Sequence, residues 1–181
     1  MLGPILGSER IQLGPPRLED LPTFIRWFAD PEVTRYLLRR YPPTLKQEHD
    51  WLESMAASDQ DIVWAVSLRE SGALIGVTSF HRIDWRNRHA WVEISIGERA
   101  QWGKGYATET VRRCTGYAFQ ELGFEKILAS VYSGNDASLR ILDKAGYRQC
   151  GLLRHHSFFG GEWHDEWLRE ILREEWKRLD R

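Results

Sequence analysis

The chain has 181 residues, 42% of them hydrophobic, and a formal net charge of -1. That length supports one substantial core, so a single domain over residues 1–181 is expected, and the balanced charge supplies no basic field for nucleic acid. No apolar run approaches the roughly 20 residues needed to cross a bilayer. The first residues carry no signal-type apolar stretch, and Cys114 and Cys150 fit no metal spacing, so a cytoplasmic location without membrane partners is the expectation.

Ile11 and Leu13 alternate as in a short strand, Pro15 and Pro16 break it, and residues 18–29 carry an amphipathic helical pattern. Asp30-Pro31 marks a boundary, residues 32–39 read as a second helical piece, and Pro42-Pro43-Thr44 opens a third helix through Trp51, Leu52 and Met55. These helices are expected to flank a cleft. Residues 62–68 and 74–83 are strand-like runs separated by Glu70-Ser71-Gly72, a hairpin signal, and residues 89–96 add a third strand.

The segment WGKGYATET, from Trp102 to Thr110, follows that strand and opens a helix reaching to near Leu122. Ala107, Val111, Cys114 and Ala118 form its apolar stripe, which is expected to pack on a sheet. Glycines at 103 and 105 let consecutive backbone N–H groups turn toward one point, with the positive end of the helix dipole behind them. A phosphate-bearing ligand is the chemistry this turn suits; a plain change of chain direction is the alternative. The P-loop pattern fails because five residues separate Gly97 from Gly103 and Gly105 follows Lys104. G-x-G-x-x-G fails because Thr108 holds the third glycine position.

Gly123 ends the helix, and residues 127–132 form a short, nearly continuous apolar strand of the kind buried on both faces. Asn135 or Asp136 caps a further helix over residues 137–144, closed by Gly146. Two last strand patterns, 152–158 and 163–171, are joined by Gly160-Gly161 as a hairpin. Nine tryptophans are expected to be mainly core, although aromatic side chains also line ligand pockets.

The order of elements makes a mixed α/β (α+β) fold, a mostly antiparallel sheet flanked by helices. With WGKGYATET, GNDASLRILDKAGY (residues 134–147) and GGEWHDEW followed by LREEW, the chain resembles the GNAT superfamily of N-acetyltransferases, within it the RimJ/RimL-like branch of ribosomal-protein N-terminal acetyltransferases. The resemblance implies acetyl-CoA as co-substrate, its pyrophosphate held by Trp102, Gly103, Lys104, Gly105, Tyr106, Ala107 and Thr108. Lys104 adds a charge there or is simply solvated. The strand containing Ile94, Ser95 and Ile96 would splay from its neighbour and offer backbone groups to the pantetheine amides. The backbone N–H of Ile94 or a neighbour would polarise the thioester carbonyl.

Asn135 matches a position that reaches the pantetheine arm, and it is also a natural helix N-cap. Glu93 matches an acidic position suited to a base acting through water, or it is a structural carboxylate. Ser138 matches a position that approaches the coenzyme sulfur and protonates the leaving thiolate, or it serves as a helix cap. Many members place a general-acid tyrosine where this chain has Leu142.

The implied acceptor is a primary amine, first a protein or peptide N-terminus. Rivals are a small amine (a polyamine, an amino-acid analogue or an amine antibiotic) and a coenzyme-A-binding module without catalysis. Glu162, Asp165 and Glu166, if they face the cleft, favour a cationic acceptor. His155, His156, His164 and Asp165 lie on strands whose alternation parts neighbours, so no metal is expected. A monomer and a homodimer are both compatible with the sequence.

Overall fold

A computed structural model of the chain describes residues 1–37 and 41–179. The elements are β1 (Leu6–Gly7), β2 (Ile11–Gly14), α1 (Leu21–Phe28), α2 (Pro31–Thr34), α3 (Leu45–Ala57), β3 (Ile62–Leu68), β4 (Leu74–Asp84), β5 (His89–Ile96), α4 (Tyr106–Gln120), β6 (Lys126–Tyr132), α5 (Asp136–Lys144), β7 (Arg148–Phe159), β8 (Glu162–Leu172) and α6 (Arg173–Leu179). All eight strands join one sheet in the order β1-β2-β3-β4-β5-β6-β8-β7. Every pairing is antiparallel except β5 with β6.

Strand alternation sends apolar side chains to two separate layers. Ala90, Val92, Ile127, Ala129 and Val131 point toward α4, whose Val111, Cys114 and Ala118 are fully buried against them. On the other face Ala65, Leu74 and Val77 meet Leu21, Phe24, Trp27 and Leu52 of α1 and α3. The two faces of the sheet thus carry different helices, α1 and α3 on one and α4 on the other.

Several sequence expectations shift in detail. The first helix is shorter than residues 18–29: Leu18–Asp20 is a 3₁₀ turn, fixed by the Asp20 carboxylate accepting the Arg17 N–H at 2.9 Å. In the second helical piece only Pro31–Thr34 is α-helical, and residues 38–39 of that expectation lie outside the described residues. The third helix starts as expected, because Thr44 and Gln47 form a capping box at its N-terminus.

β6 is not buried on both faces. Ile127, Ala129 and Val131 are buried in the α4 layer, whereas Ser130 is exposed and Leu128 and Tyr132 are half-buried on the opposite face. Residues 173–179 are helical, where the sequence suggested only strands near the C-terminus. The strand runs straight into this helix, with the Glu175 carboxylate taking the Leu172 N–H at 3.0 Å in place of any Gly or Pro signal. Trp176 then packs on Phe119 with ring centroids 5.9 Å apart.

Candidate active site

The parallel ladder between β5 and β6 is short. His89, Ala90 and Trp91 pair with Lys126, Ile127 and Leu128, and the pairing stops there. Beyond it β5 continues to Ile96 along β4, and β6 continues to Tyr132 along β8. The two strands therefore diverge, leaving a wedge whose β5 wall presents backbone polar groups with no neighbouring strand. An extended, amide-bearing chain suits such an edge. Ile94, Ser95 and Ile96, the residues the resemblance pointed to, lie on this stretch of β5, and the Ile96 carbonyl already accepts the Trp102 indole N–H at 2.6 Å.

That bond folds the turn after β5 back over its own end. Gly103 and Gly105 take φ of 74° and 86°, left-handed values that a side chain disfavours. Gly105 is the N-cap of α4, and Glu109 makes the first intrahelical bond to its carbonyl at 3.1 Å. The N–H groups of Tyr106, Ala107 and Thr108 are therefore orphan helix donors. Among the described residues nothing accepts from the amides of Gly103, Lys104 or Gly105 either. These donors, with the helix dipole behind them, fit a pyrophosphate.

Lys104 folds back to Gln101, its ammonium donating to Oε1 at 3.0 Å. Arg10, which sequence reasoning did not single out, supports the turn. It donates to the Lys104 carbonyl at 2.9 Å and pairs with Glu109 at 2.8 Å, and its guanidinium lies 4.8 Å from the Tyr106 ring centre. Burial alone would raise the Glu109 pKa, but the Arg10 backbone N–H, the Ser8 hydroxyl and the Arg10 guanidinium outweigh it and hold the carboxyl below its usual range. No local signal marks Arg10, because its partner lies 99 residues away.

Across the wedge, Asn135 caps α5 through Oδ1, which accepts the Ser138 N–H at 3.2 Å. The cap is thus Asn135 and not the Ser138 side chain. Among the described residues the Ser138 hydroxyl has no hydrogen-bond partner, which leaves it available. Leu142 is buried at 3% exposure in the α4 layer and offers no proton.

Glu93 lies on the opposite face of β5 from buried Val92, and is exposed. Its cross-strand partner is Ser79, while His81 pairs with Trp91. Tyr132 and Glu166 are direct partners on the far wall. Burial, then the nearby Glu166 and Glu93 carboxylates, push the Tyr132 phenol up. Phe159 contacts Tyr132 with centroids 5.5 Å apart and stacks on His164 at 3.7 Å. Tyr36 meets Phe159 edge-on at 6.3 Å and donates to the Gly134 carbonyl at 2.8 Å. A cluster of aromatic rings with the Glu93 and Glu166 carboxylates near Tyr132 thus adjoins the wedge, on the face away from α4.

Of the terminal-hairpin acids, Glu166 lies by Tyr132 in this cluster, its side chain 13% exposed and His156 3.7 Å away. Asp165 accepts the His155 N–H at 2.8 Å, and Glu162 is solvated. Sequence alternation missed a bulge between Leu153 and Ser157, where His155 has φ of 47°. Among the described residues, potential metal-ligand atoms converge in one group, His49, Asp50 and Glu53 on α3, all exposed and with Lys46 already paired to Asp50. The tryptophans divide: Trp64 and Trp27 are core, whereas Trp85, Trp102 and Trp163 are exposed.

Residues 10–148 match the family described as acetyltransferase (GNAT) domain. The chain is 29% identical over 174 residues to the uncharacterized N-acetyltransferase p20 of Bacillus licheniformis, covering 94% of this chain and 97% of that one. It is 30% identical over 173 residues to the uncharacterized N-acetyltransferase YoaA of Bacillus subtilis, with the same coverages, 94% and 97%. In fold it is similar to the spermidine N-acetyltransferase of Vibrio cholerae solved with CoA and spermine, at a TM-score of 0.87 and 19% identity over 94% of this chain and 99% of that one.

Proposed function

The chain belongs to the acetyltransferase (GNAT) domain family, and from that premise we propose that it is an acetyl-CoA-dependent N-acetyltransferase of the RimJ/RimL-like kind, transferring directly to a primary amine in a ternary complex. The observation that carries the cofactor reading is the strand divergence after Trp91 and Leu128, continuous with the unpaired amides of residues 103–108. Trp102 to Thr108 would hold the pyrophosphate, and Ile94, Ser95 and Asn135 the pantetheine arm. Ile96 would contribute the backbone group that Trp102 leaves free. Acetyl-CoA supplies an activated acetyl thioester.

The chain's own residues have three tasks: to orient the amine, to take a proton from it and to return one to sulfur. Glu93, on the face of β5 away from α4, would act as the base through water. The unpaired Ser138 hydroxyl is the donor to the departing thiolate. Glu93 and Glu166, with the rings of Tyr132 and Phe159, would hold the acceptor as a cation beside aromatic faces.

A protein or peptide N-terminus is the first acceptor reading. Its amine, with pKa near 7.7–8.0, is roughly a tenth or more neutral at pH 7, against well below about 0.1% for a lysine-like amine. The second reading, a small di- or polyamine, is favoured by one observation: carboxylates on both walls, Glu93 and Glu166, flank Tyr132. The test is incubation with acetyl-CoA and a panel of peptides, polyamines and amine antibiotics, reading thiol release and acetylated product by mass spectrometry. Acetylated peptides select the first reading and acetylated polyamines the second. Coenzyme binding with no product from any amine overturns the enzyme assignment in favour of a binding module.

A further inference from the structure

His81 belongs to no part of the machinery described above, yet β4 delivers it to the amine side of the wedge. Phe80 and Thr78 are buried toward α4, so Ser79 and His81 stand on the face that carries Glu93 and Trp91. Ser79 pairs with Glu93 and His81 with Trp91. His81 and Glu93 are thus diagonal cross-strand neighbours, about 7–8 Å apart at Cα, a spacing that long side chains bridge.

The backbone beyond His81 is built around it. The β4–β5 register shifts between His81 and Asp84, and Arg82 takes φ of 50°. Such a bulge re-aims side chains. Arg82 consequently lies over the Trp91 ring at 5.8 Å, on the same side as His81, and not in the α4 layer that strict alternation would give it. A surface cavity of about 500 Å³ lies next along β4, lined by Arg82, Ile83, Asp84 and Trp91 among others and not by His81 or Glu93 themselves. The His81 Nδ1 atom is buried and has no hydrogen-bond partner among the described residues. A buried imidazole nitrogen left unpaired is costly and calls for a role.

We propose that His81 and Glu93 form a proton relay for acetyl transfer, with Glu93 facing the acceptor nitrogen and His81 receiving the proton behind it. The inference rests on the acetyltransferase reading above. The acceptor ammonium gives one proton through Glu93 to the neutral imidazole, which then releases it to solvent. The freed nitrogen lone pair forms the new C–N bond as the C–S bond breaks; Ser138 gives its hydroxyl proton to the leaving sulfur and regains one as the nitrogen loses its second. The sum is one amide, one thiol and one proton.

The surrounding charges suit that task. Burial lowers the His81 pKa and Arg82 adds to this, while Glu93 on β5 and Asp61, beside β3, oppose it. The imidazole is therefore neutral at pH 7 and able to accept. Its protonation at lower pH closes the relay, so turnover should fall on the acid side of the ordinary histidine range, near 6.5.

Two measurements test this. In the free protein, the NMR titration of His81, assigned with His81→Asn, should move to lower pH in Glu93→Gln, because the carboxylate that favours the imidazolium is gone. An unmoved midpoint overturns the relay. With an amine that the wild type acetylates, His81→Asn should lower kcat about 100-fold while leaving coenzyme A affinity unchanged, and should displace the acid limb of the pH–rate profile. His81→Gly should regain part of the rate with added imidazole, which a purely structural role would not produce. The Glu93→Gln/His81→Asn double variant should be no slower than the worse single one, as for groups acting as a unit. Wild-type turnover with an unchanged pH profile in His81→Asn overturns the relay and leaves acetyl transfer standing, whereas a wild type that acetylates nothing fails the broader reading instead.

Discussion

Trp91 and Leu128 are the last partners in the parallel ladder joining β5 to β6. From that pair onward each strand keeps one neighbour only, β4 for one and β8 for the other. A sheet that parts in its middle leaves polar backbone that water or a ligand must satisfy. The turn at Gly103 and Gly105 sits at the end of the β5 wall, so a wedge for amides and a cradle for an anion lie in series.

Gly105→Asp tests the cradle. At φ of 86° any side chain is strained, roughly 1–2 kcal/mol, and the added carboxylate competes with phosphate for the amides of residues 106–108. Calorimetry should show coenzyme A affinity reduced at least about 100-fold. Gly105→Ala should carry only the strain, read as a fall in Tm. Equal affinity for Gly105→Asp and wild type would remove the cradle from binding.

Arg10→Ala withdraws the support of the turn, since the Lys104 carbonyl and Glu109 lose their shared partner. The KM for acetyl-CoA should rise about 10-fold, on the scale of a lost charged hydrogen bond, with the acceptor KM unchanged. Glu109 adds a pH signature. Its folded pKa is held below the unfolded value of about 4.3, so its stabilisation is complete above that pH and disappears as pH falls through the folded value. Glu109→Gln should flatten the decline in Tm below about pH 4.3; an unchanged decline would place the acid sensitivity elsewhere.

Ser138→Ala separates capping from chemistry. The Asn135 side chain holds the helix end through the Ser138 N–H, which alanine retains, so Tm should be preserved. Single-turnover transfer should slow by about 10-fold or more if the hydroxyl protonates the thiolate. Asn135→Ala, by contrast, should destabilise by about 1 kcal/mol. A wild-type single-turnover rate in Ser138→Ala would leave the serine without a catalytic part.

Glu93→Gln should depress kcat by about 100-fold or more and leave coenzyme affinity intact, because Glu93 points away from the α4 layer. Calorimetry alongside steady-state rates over pH provides the check. Equal losses in binding and turnover would make Glu93 structural.

The strands and the cradle were legible because their signals are local: alternation at β3 to β5, two glycines before an amphipathic helix, and a Gly-Gly turn. Even the divergence at Ile94 was expected, but only through resemblance, since no local pattern says where a parallel pairing stops. What stayed hidden depends on distance or on backbone irregularity. Arg10 meets Glu109 across the fold, and the bulges at Arg82 and His155 break the alternation that assigns side chains to faces. The C-terminal helix escaped because Glu175 caps it from within. Which of Asn135 and Ser138 caps the helix is a matter of side-chain geometry, and it is Asn135 whose side chain accepts.

The most direct test is amide hydrogen exchange with and without coenzyme A. Protection should appear together at residues 94–96 on the β5 wall and at residues 103–108 in the cradle, while the distant β2 and β3 amides remain unchanged. Binding accompanied by no added protection in either segment would contradict the account.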